Sequence, residues 1–205
     1  MTNEAQTINE LLEAIALPDA DTVTRLHARL VDDAERDDVL DVCYRTVDSP
    51  YGPLLLAATT QGLVRVAFDR EGQDAVLSQL SMAISPRILR GPKRLDRAAA
   101  QLDEYFAGQR HRFELPIDLQ LAHGFRRNVL VHLRDIAYGT TASYASIAAA
   151  VGNPAAVRAV GTACATNPLP IVVPCHRVVR SDGSIGQYLG GTDTKRALLA
   201  MESAA

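Results

Sequence analysis

The chain has 205 residues, 47% of them hydrophobic and 22% charged, the make-up of a globular protein with room for one large domain or two small ones. No apolar run approaches the roughly 20 residues that cross a bilayer. Met1-Thr2-Asn3-Glu4 lacks the basic-then-apolar pattern of an export signal, so a cytoplasmic protein without membrane partners is expected.

Three widely spaced cysteines, Cys43, Cys164 and Cys175, argue against a disulfide framework, and no C-x-x-C pair suggests zinc. The net charge of −3 is unevenly spread: residues 1–40 carry −7, residues 41–109 balance, and residues 110–205 carry +4. Only the C-terminal half is disposed toward phosphate.

Residues 1–40 read as an acidic helical extension. Ile8, Leu11, Leu12 and Ile15 fall at helical spacing, Pro18 breaks the run, and Val23, Leu26, Leu30 and Val31 resume it. Asp32, Asp33, Glu35, Asp37 and Asp38 gather near its end as a solvated face. From Val42 the period changes. Residues 42–47, 54–58 and 63–68 predict a small antiparallel sheet, with turns at 49–53 and 59–62. Between Phe68 and Arg94 the pattern assigns no element. A helix follows over 94–106, with Leu95, Ala98, Leu102 and Phe106 on one face and Gly108 ending it. An extended stretch, 113–117, closes this first unit.

From Gly124 the spacing of Phe125, Val129, Leu133 and Ile136 is helical again. Ser143 is placed to cap a helix over 144–151. Asn153 and Pro154 then supply a cap and a first residue for a second helix, which runs to about Ala165 and stops before Asn167-Pro168. Two short helices across a glycine turn form a helix-turn-helix candidate. On the second helix Val157, Val160 and Cys164 should face inward, leaving Arg158 on a floor of Gly161, Thr162 and Ala165. A glycine inside a helix costs about 1 kcal/mol relative to alanine. Either a crowded helix contact or the approach of another surface accounts for it, and a lone cation among small residues suits a nucleic-acid groove. Cys43 and Cys164 read as core residues.

Residues 170–179 carry the chemistry. An apolar, extended run bracketed by prolines delivers Cys175 and His176 side by side. A free thiol has a pKa of about 8.5 and only the thiolate is nucleophilic, so a recessed cysteine needs a base. His176 can serve, directly or through water, with Glu202 on the last helix to orient it. A chance dipeptide is the bland alternative; zinc ligation and a thiol-protease dyad both fit poorly. Downstream, residues 181–184 form a turn, and the glycine-rich stretch 186–191 lets backbone approach a flat ligand. It lacks the phosphate-loop pattern. Thr192 or Asp193 caps a final helix with Ala197, Leu198 and Met201 on its inner side.

Pro174-Cys175-His176-Arg177-Val178, Arg158-Ala159-Val160-Gly161, Asn167-Pro168, and Tyr138-Gly139 leading to Ser143-Tyr144 together resemble the O6-alkylguanine-DNA alkyltransferases, also called methylated-DNA–protein-cysteine methyltransferases. The resemblance spans residues 42–203 and is strongest over 124–203. It implies an α/β ribonuclease-H-like domain (41–118) and a mostly α, winged-helix-like domain (119–205), after the helical extension (1–40). The implied activity is direct-reversal DNA repair: one irreversible transfer of an alkyl group from guanine O6 to Cys175, with thymine O4 as a further substrate. It needs no metal or cofactor. The implied partner is double-stranded DNA, bound by a monomer through the minor groove with the damaged nucleotide rotated out.

By motif position, Cys175 is the alkyl acceptor, His176 relays its proton through water with Glu202 behind, and Asn167 braces the turn. Tyr144 helps to neutralise the leaving guanine. Arg158 fills the gap left by the base, Ser143 contacts the DNA backbone, and Gly161, Thr162 and Ala165 complete the DNA face. Val178, Tyr188, Leu189 and Gly190 line the base pocket. Some positions depart from the family pattern: Arg126 and Leu130 stand where glutamine and tryptophan are common, Ala165 where some members carry arginine, and Leu189 where a small or polar residue is usual. A related group binds alkylguanine without repair but carries tryptophan in place of the cysteine, and Cys175 argues against that reading. A helix-turn-helix regulator without chemistry leaves residues 174–179 unexplained.

Overall fold

The computed structural model describes residues 19–204. The helical reading of Ile8 to Ile15 lies outside the described residues. The chain divides into two compact units, Met1–Val39 and Leu40–Ala205. In the first, helix α1 (Ala20–Arg36) is capped by Asp19, whose side chain accepts the Thr22 amide at 2.6 Å. Val23, Leu26 and Leu30 of α1 are exposed.

The second unit opens with a four-stranded sheet in the order β3-β2-β1-β4: β1 (Val42–Val47), β2 (Leu54–Thr59), β3 (Gly62–Phe68) and β4 (Ile88–Arg90). The first three are antiparallel neighbours, while β4 lies parallel to β1, so the expected antiparallel sheet is in fact mixed. A parallel neighbour requires a crossover, and helix α2 (Gln73–Ala83) provides it. Its Val76 and Leu80 pack in one cluster with Val42, Leu55, Ala57, Val64 and Ala67. Every residue of β2 is buried, which explains its unbroken apolar run.

A 3-10 turn at Lys93–Leu95 packs on β1 and β2 and leads into α3 (Asp96–Phe106). Tyr105, not Phe106, is the aromatic residue on its buried face. The free edge of β3 is covered. Leu63 donates to Pro116 O at 2.9 Å, the Asp118 amide donates to Leu63 O at 2.8 Å, and Val66 donates to Pro168 O at 2.8 Å.

The C-terminal half packs α4 (Gly124–Leu133), α5 (Tyr144–Ala150) and α6 (Val157–Ala165) against one another. A two-residue parallel pair follows, β5 (Ala142–Ser143) with β6 (Val178–Val179), and α7 (Thr192–Ser203) ends the chain. Ser143 caps α5, its Oγ accepting the Ser146 amide at 3.0 Å. The cap expected for the next helix is absent. Ala156 donates to Asn153 O at 2.9 Å, closing a separate turn, and α6 starts at Val157, three residues later than predicted. Val157 is consequently exposed, and Val160, Ala163 and Cys164 are the buried residues. Helix α4 ends at Leu133, ahead of Ile136.

Two further expectations change. Residues 170–179 do not form an extended run. Ile171 adopts φ 73°, Cys175–Arg177 form a single 3-10 turn, and only Val178–Val179 pair as strand. Neither Thr192 nor Asp193 caps α7. Gly191 occupies that position at φ 94°, and the inner side of the helix is Lys195, Leu198 and Glu202, with Ala197 exposed. Among the described residues, no helix is long and apolar enough to cross a membrane.

Gly62, at φ 143°, turns β2 into β3 where a Cβ would fall 2.4 Å from Pro116 O. Gly62→Ala is expected to destabilise the protein by about 2 kcal/mol or more, through backbone strain and the loss of the Leu63–Pro116 contact. Urea unfolding measures the loss; an unchanged midpoint would remove this turn from the account of how the edge is closed.

Candidate active site

Asn167, Cys175, His176 and Glu202 converge at the centre of the C-terminal half, each at most 2% exposed. The prolines at 168, 170 and 174 and the left-handed Ile171 coil the segment so tightly that Val173 donates to Leu169 O at 2.7 Å. Asn167 spans this coil. Its Oδ1 accepts the Leu169 amide at 3.0 Å, while its Nδ2 donates to Val173 O at 2.8 Å and to Cys175 Sγ at 3.1 Å. Burial raises the pKa of the Cys175 thiol, and the Asn167 hydrogen bond and the Lys195 ammonium work against that rise.

Glu202 gathers the remaining groups. Its carboxylate accepts from His176 Nε2 at 2.9 Å, from Arg177 Nε at 2.8 Å and Nη2 at 2.9 Å, from Tyr105 Oη at 2.6 Å, and from the Gly139 amide at 3.3 Å. Burial alone would raise this carboxyl, but the donors from His176, Arg177 and Tyr105 outweigh it and hold the pKa down to about 2. With Glu202 ionised, the ring hydrogen of His176 sits on Nε2, which leaves Nδ1 as an acceptor. That atom is buried and has no hydrogen-bond partner among the described residues. Burial lowers the imidazole pKa more than Glu202 raises it, so the ring is a neutral base.

Of the predicted pocket residues, Val178 is buried on β6, and its carbonyl accepts from Lys195 Nζ at 2.5 Å. The Tyr188 ring lies edge-on to His176, with centroids 6.2 Å apart, and its hydroxyl is buried without a hydrogen-bond partner among the described residues. Tyr144 opens α5 half-buried. A Cβ on Gly186 would fall 2.6 Å from its hydroxyl, so the glycine is what admits the phenol. Gly190 abuts Phe68. Leu189 lines a cavity of about 340 Å³ with Arg65, Glu71, Arg126 and Thr166, none of which belongs to the thiol cluster.

Arg158, Thr162 and Ala165 are exposed on α6, with Gly161 half-buried beside them. A Cβ on Gly161 would meet nothing within 4 Å among the described residues, so none of them accounts for that glycine by a crowded contact. The Arg158 guanidinium makes no ion pair among the described residues. Cys43 and Cys164 are buried as expected, and burial raises the Cys164 thiol as well.

Lys195, Tyr105 and Arg177 were not assigned roles from sequence. Lys195 is 0% exposed, and its ammonium stands 6.0 Å from the centroid of the Tyr144 ring. Its position one turn beyond Gly191, facing the same way as Leu198 and Glu202, is the only sequence signal that could have found it.

The model of the 6-O-methylguanine DNA methyltransferase ribonuclease-like domain matches residues 42–119, and that of the corresponding DNA binding domain matches residues 124–204. A methylated-DNA–protein-cysteine methyltransferase of Mycolicibacterium paratuberculosis is 42% identical over 159 residues, covering 78% of this chain and 91% of that protein. The Homo sapiens protein of that description is 39% identical over 164 residues, covering 77% and 78%. The crystal structure of Mycobacterium tuberculosis OGT in complex with DNA aligns with a TM-score of 0.70 at 38% identity, covering 79% of this chain and 93% of that one. Fold and site thus define a two-domain protein, a ribonuclease-like half followed by a helical DNA-binding half. The chain belongs to the 6-O-methylguanine DNA methyltransferase family.

A carboxyl held near 2 instead of 4.5 contributes stability that is fully present at neutral pH. That contribution disappears as pH falls from about 4.5 through about 2. Glu202→Gln should therefore cost roughly 3 kcal/mol at pH 7 and flatten stability across that acid window. Urea melts at pH 7 and pH 3 check this. A variant as acid-sensitive as the wild type would show that another group governs the acid limb.

Proposed function

We propose that the protein repairs alkylated DNA by direct reversal, moving an alkyl group from O6 of guanine to Cys175 Sγ, once per molecule. The observation that carries this reading is the buried array around the thiol: Asn167 Nδ2 at 3.1 Å from the sulfur, and an imidazole fixed by Glu202 with Nδ1 free to accept. The relatives' description as methylated-DNA–protein-cysteine methyltransferases supports the same reaction.

In this mechanism the thiol proton passes through water to His176 Nδ1, and Glu202 stabilises the resulting imidazolium. The sulfur attacks the alkyl carbon in line, the S–C bond forms as the C–O6 bond breaks, and the electron pair leaves with guanine. Tyr144 supplies a proton to the departing base and regains one from solvent as His176 releases the thiol proton back to it, while Asn167 braces the turn that presents the sulfur. Val178, Tyr188 and Gly190 line the base pocket, and the Tyr188 hydroxyl, without a partner among the described residues, offers the base edge a hydrogen bond. Thymine O4 carries the same kind of alkyl leaving group and is included as a further substrate.

We assign the DNA face to α5 and α6, as the paired helices of a winged-helix-like domain approaching the minor groove. Arg158 enters the space of the extruded nucleotide, Ser143 meets a phosphate, and Gly161, Thr162 and Ala165 let the backbone come close. The solved relative in complex with DNA supports the partner. Exposed Arg158, with open space over Gly161, supports the face.

Incubation with a duplex bearing O6-methylguanine, followed by intact and peptide mass analysis, tests the reaction. One methyl on the Cys175 peptide, saturating at one per chain and abolished by Cys175→Ala, is expected. Binding without a mass change would mean lesion recognition without transfer, and the repair reading would be lost. Arg158→Ala should slow duplex repair on the order of 10-fold or more while leaving the reaction with free O6-benzylguanine near normal. Equal losses on both substrates would sink the extrusion role.

A further inference from the structure

The pocket loop, residues 186–191, is gripped from two sides. At one end Gly186 receives the Tyr144 hydroxyl from the DNA-binding half. At the other end the grip comes from the ribonuclease-like half. A Cβ on Gly190 would lie 2.7 Å from Phe68 Cζ, 2.8 Å from Cε1 and 3.0 Å from Cε2, so the ring is laid directly on the glycine backbone. The same ring meets Tyr188 edge-on, with centroids 5.7 Å apart. Tyr188 in turn meets His176.

Phe68 is itself held. It ends β3 in register with Leu54, and its amide donates to Glu71 Oε1 at 2.9 Å. The other oxygen of that carboxylate is ion-paired with Arg65. The next residues repeat the contact: a Cβ on Gly191 would lie 2.8 Å from Arg70 Nη1. Beyond the loop, Gly191 donates to Tyr188 O at 3.0 Å, and Thr194 Oγ1 donates to Gly190 O at 2.8 Å. The glycine backbone is thereby joined to the helix that carries Lys195 and Glu202. A loop rich in glycine has the largest backbone entropy to lose, and a rigid aromatic surface beneath it removes that freedom.

We propose that Phe68 is a positioning residue for the alkyl-acceptor site. From the ribonuclease-like half it holds Tyr188 and Gly190 in the conformation that receives the base; this rests on the reading of Cys175 as acceptor. A duplex substrate brings binding energy from α6 to order the loop, and a free base brings none. Loss of the ring therefore weighs most on the free base.

The test compares Phe68→Ala, Phe68→Leu and Leu55→Ala. Leu55 belongs to the core cluster with Val76 and Leu80 and serves as a stability control. Phe68→Ala should slow the reaction with free O6-benzylguanine on the order of 10-fold, and that with the O6-methylguanine duplex by less than about 3-fold. Phe68→Leu should recover most of the free-base rate. Hydrogen exchange at the Gly191 amide should accelerate in Phe68→Ala and not in Leu55→Ala. This exchange readout decides the proposal even if the wild type transfers no methyl, so failure of the repair reading stays separate. Equal rate losses on both substrates, or matching exchange in the two alanine variants, would overturn the proposal.

Discussion

A carboxylate taken out of water costs several kcal/mol unless its lone pairs are filled. Glu202, at 2% exposure, meets that demand with donors from three places in the chain: α3 through Tyr105, the loop at Gly139, and the 3-10 turn through His176 and Arg177, while α7 supplies the carboxylate itself. Arg177 continues outward to Ile136 O at 2.6 Å. None of these segments can shift without leaving a buried charge short of a donor. The same requirement sets the tautomer of His176, because the ring must donate from Nε2. The chemistry of the imidazole thus follows from the stability demand of the acid behind it.

How much of this could be read in the chain depends on the range of the interaction that decides each feature. β1, β2 and β3 were legible because apolar runs between turn residues carry their own signal, and Ser143 was legible as a cap because capping acts within three residues. β4 has only three residues and α2 buries only Val76 and Leu80, too little for a period. Phe106 and Tyr105 are neighbours on one helix, and which faces inward is settled by Glu202, 97 residues from Tyr105. Lys195 sits between Thr194 and Arg196 in a polar stretch, and only its helical spacing from Leu198 and Glu202 marks it as facing inward. The Cys-His pair stood out, but its environment is tertiary.

Burial of the thiol also constrains the substrate. Cys175 is 2% exposed, whereas the α6 face with Arg158 is open. A base stacked in a duplex lying on that face cannot touch a sulfur below the surface. The geometry is compatible with DNA chemistry only if the nucleotide leaves the stack, at a cost of a few kcal/mol that is least for a weakly paired, damaged base. Under the proposed reaction, recessing the thiol would select for lesions and shield the sulfur from adventitious electrophiles, since a buried neutral thiol is inert until a base is engaged.

Glycine carries opposite meanings on the two sides of this arrangement. Gly161 has no described residue above it, and a side chain there would be tolerated by the described fold, so among the described residues nothing requires it to be bare. Gly186 and Gly190 are filled from within, by Tyr144 and Phe68, and a side chain at either would displace an aromatic ring. In sequence the three look alike. Only the surrounding atoms separate a surface left bare for a partner from a backbone pressed flat by its own protein, and the second kind needs rings supplied by both halves. The ribonuclease-like half is thereby tied to the thiol cluster through the packing of Phe68 as well as through the Tyr105 hydrogen bond to Glu202.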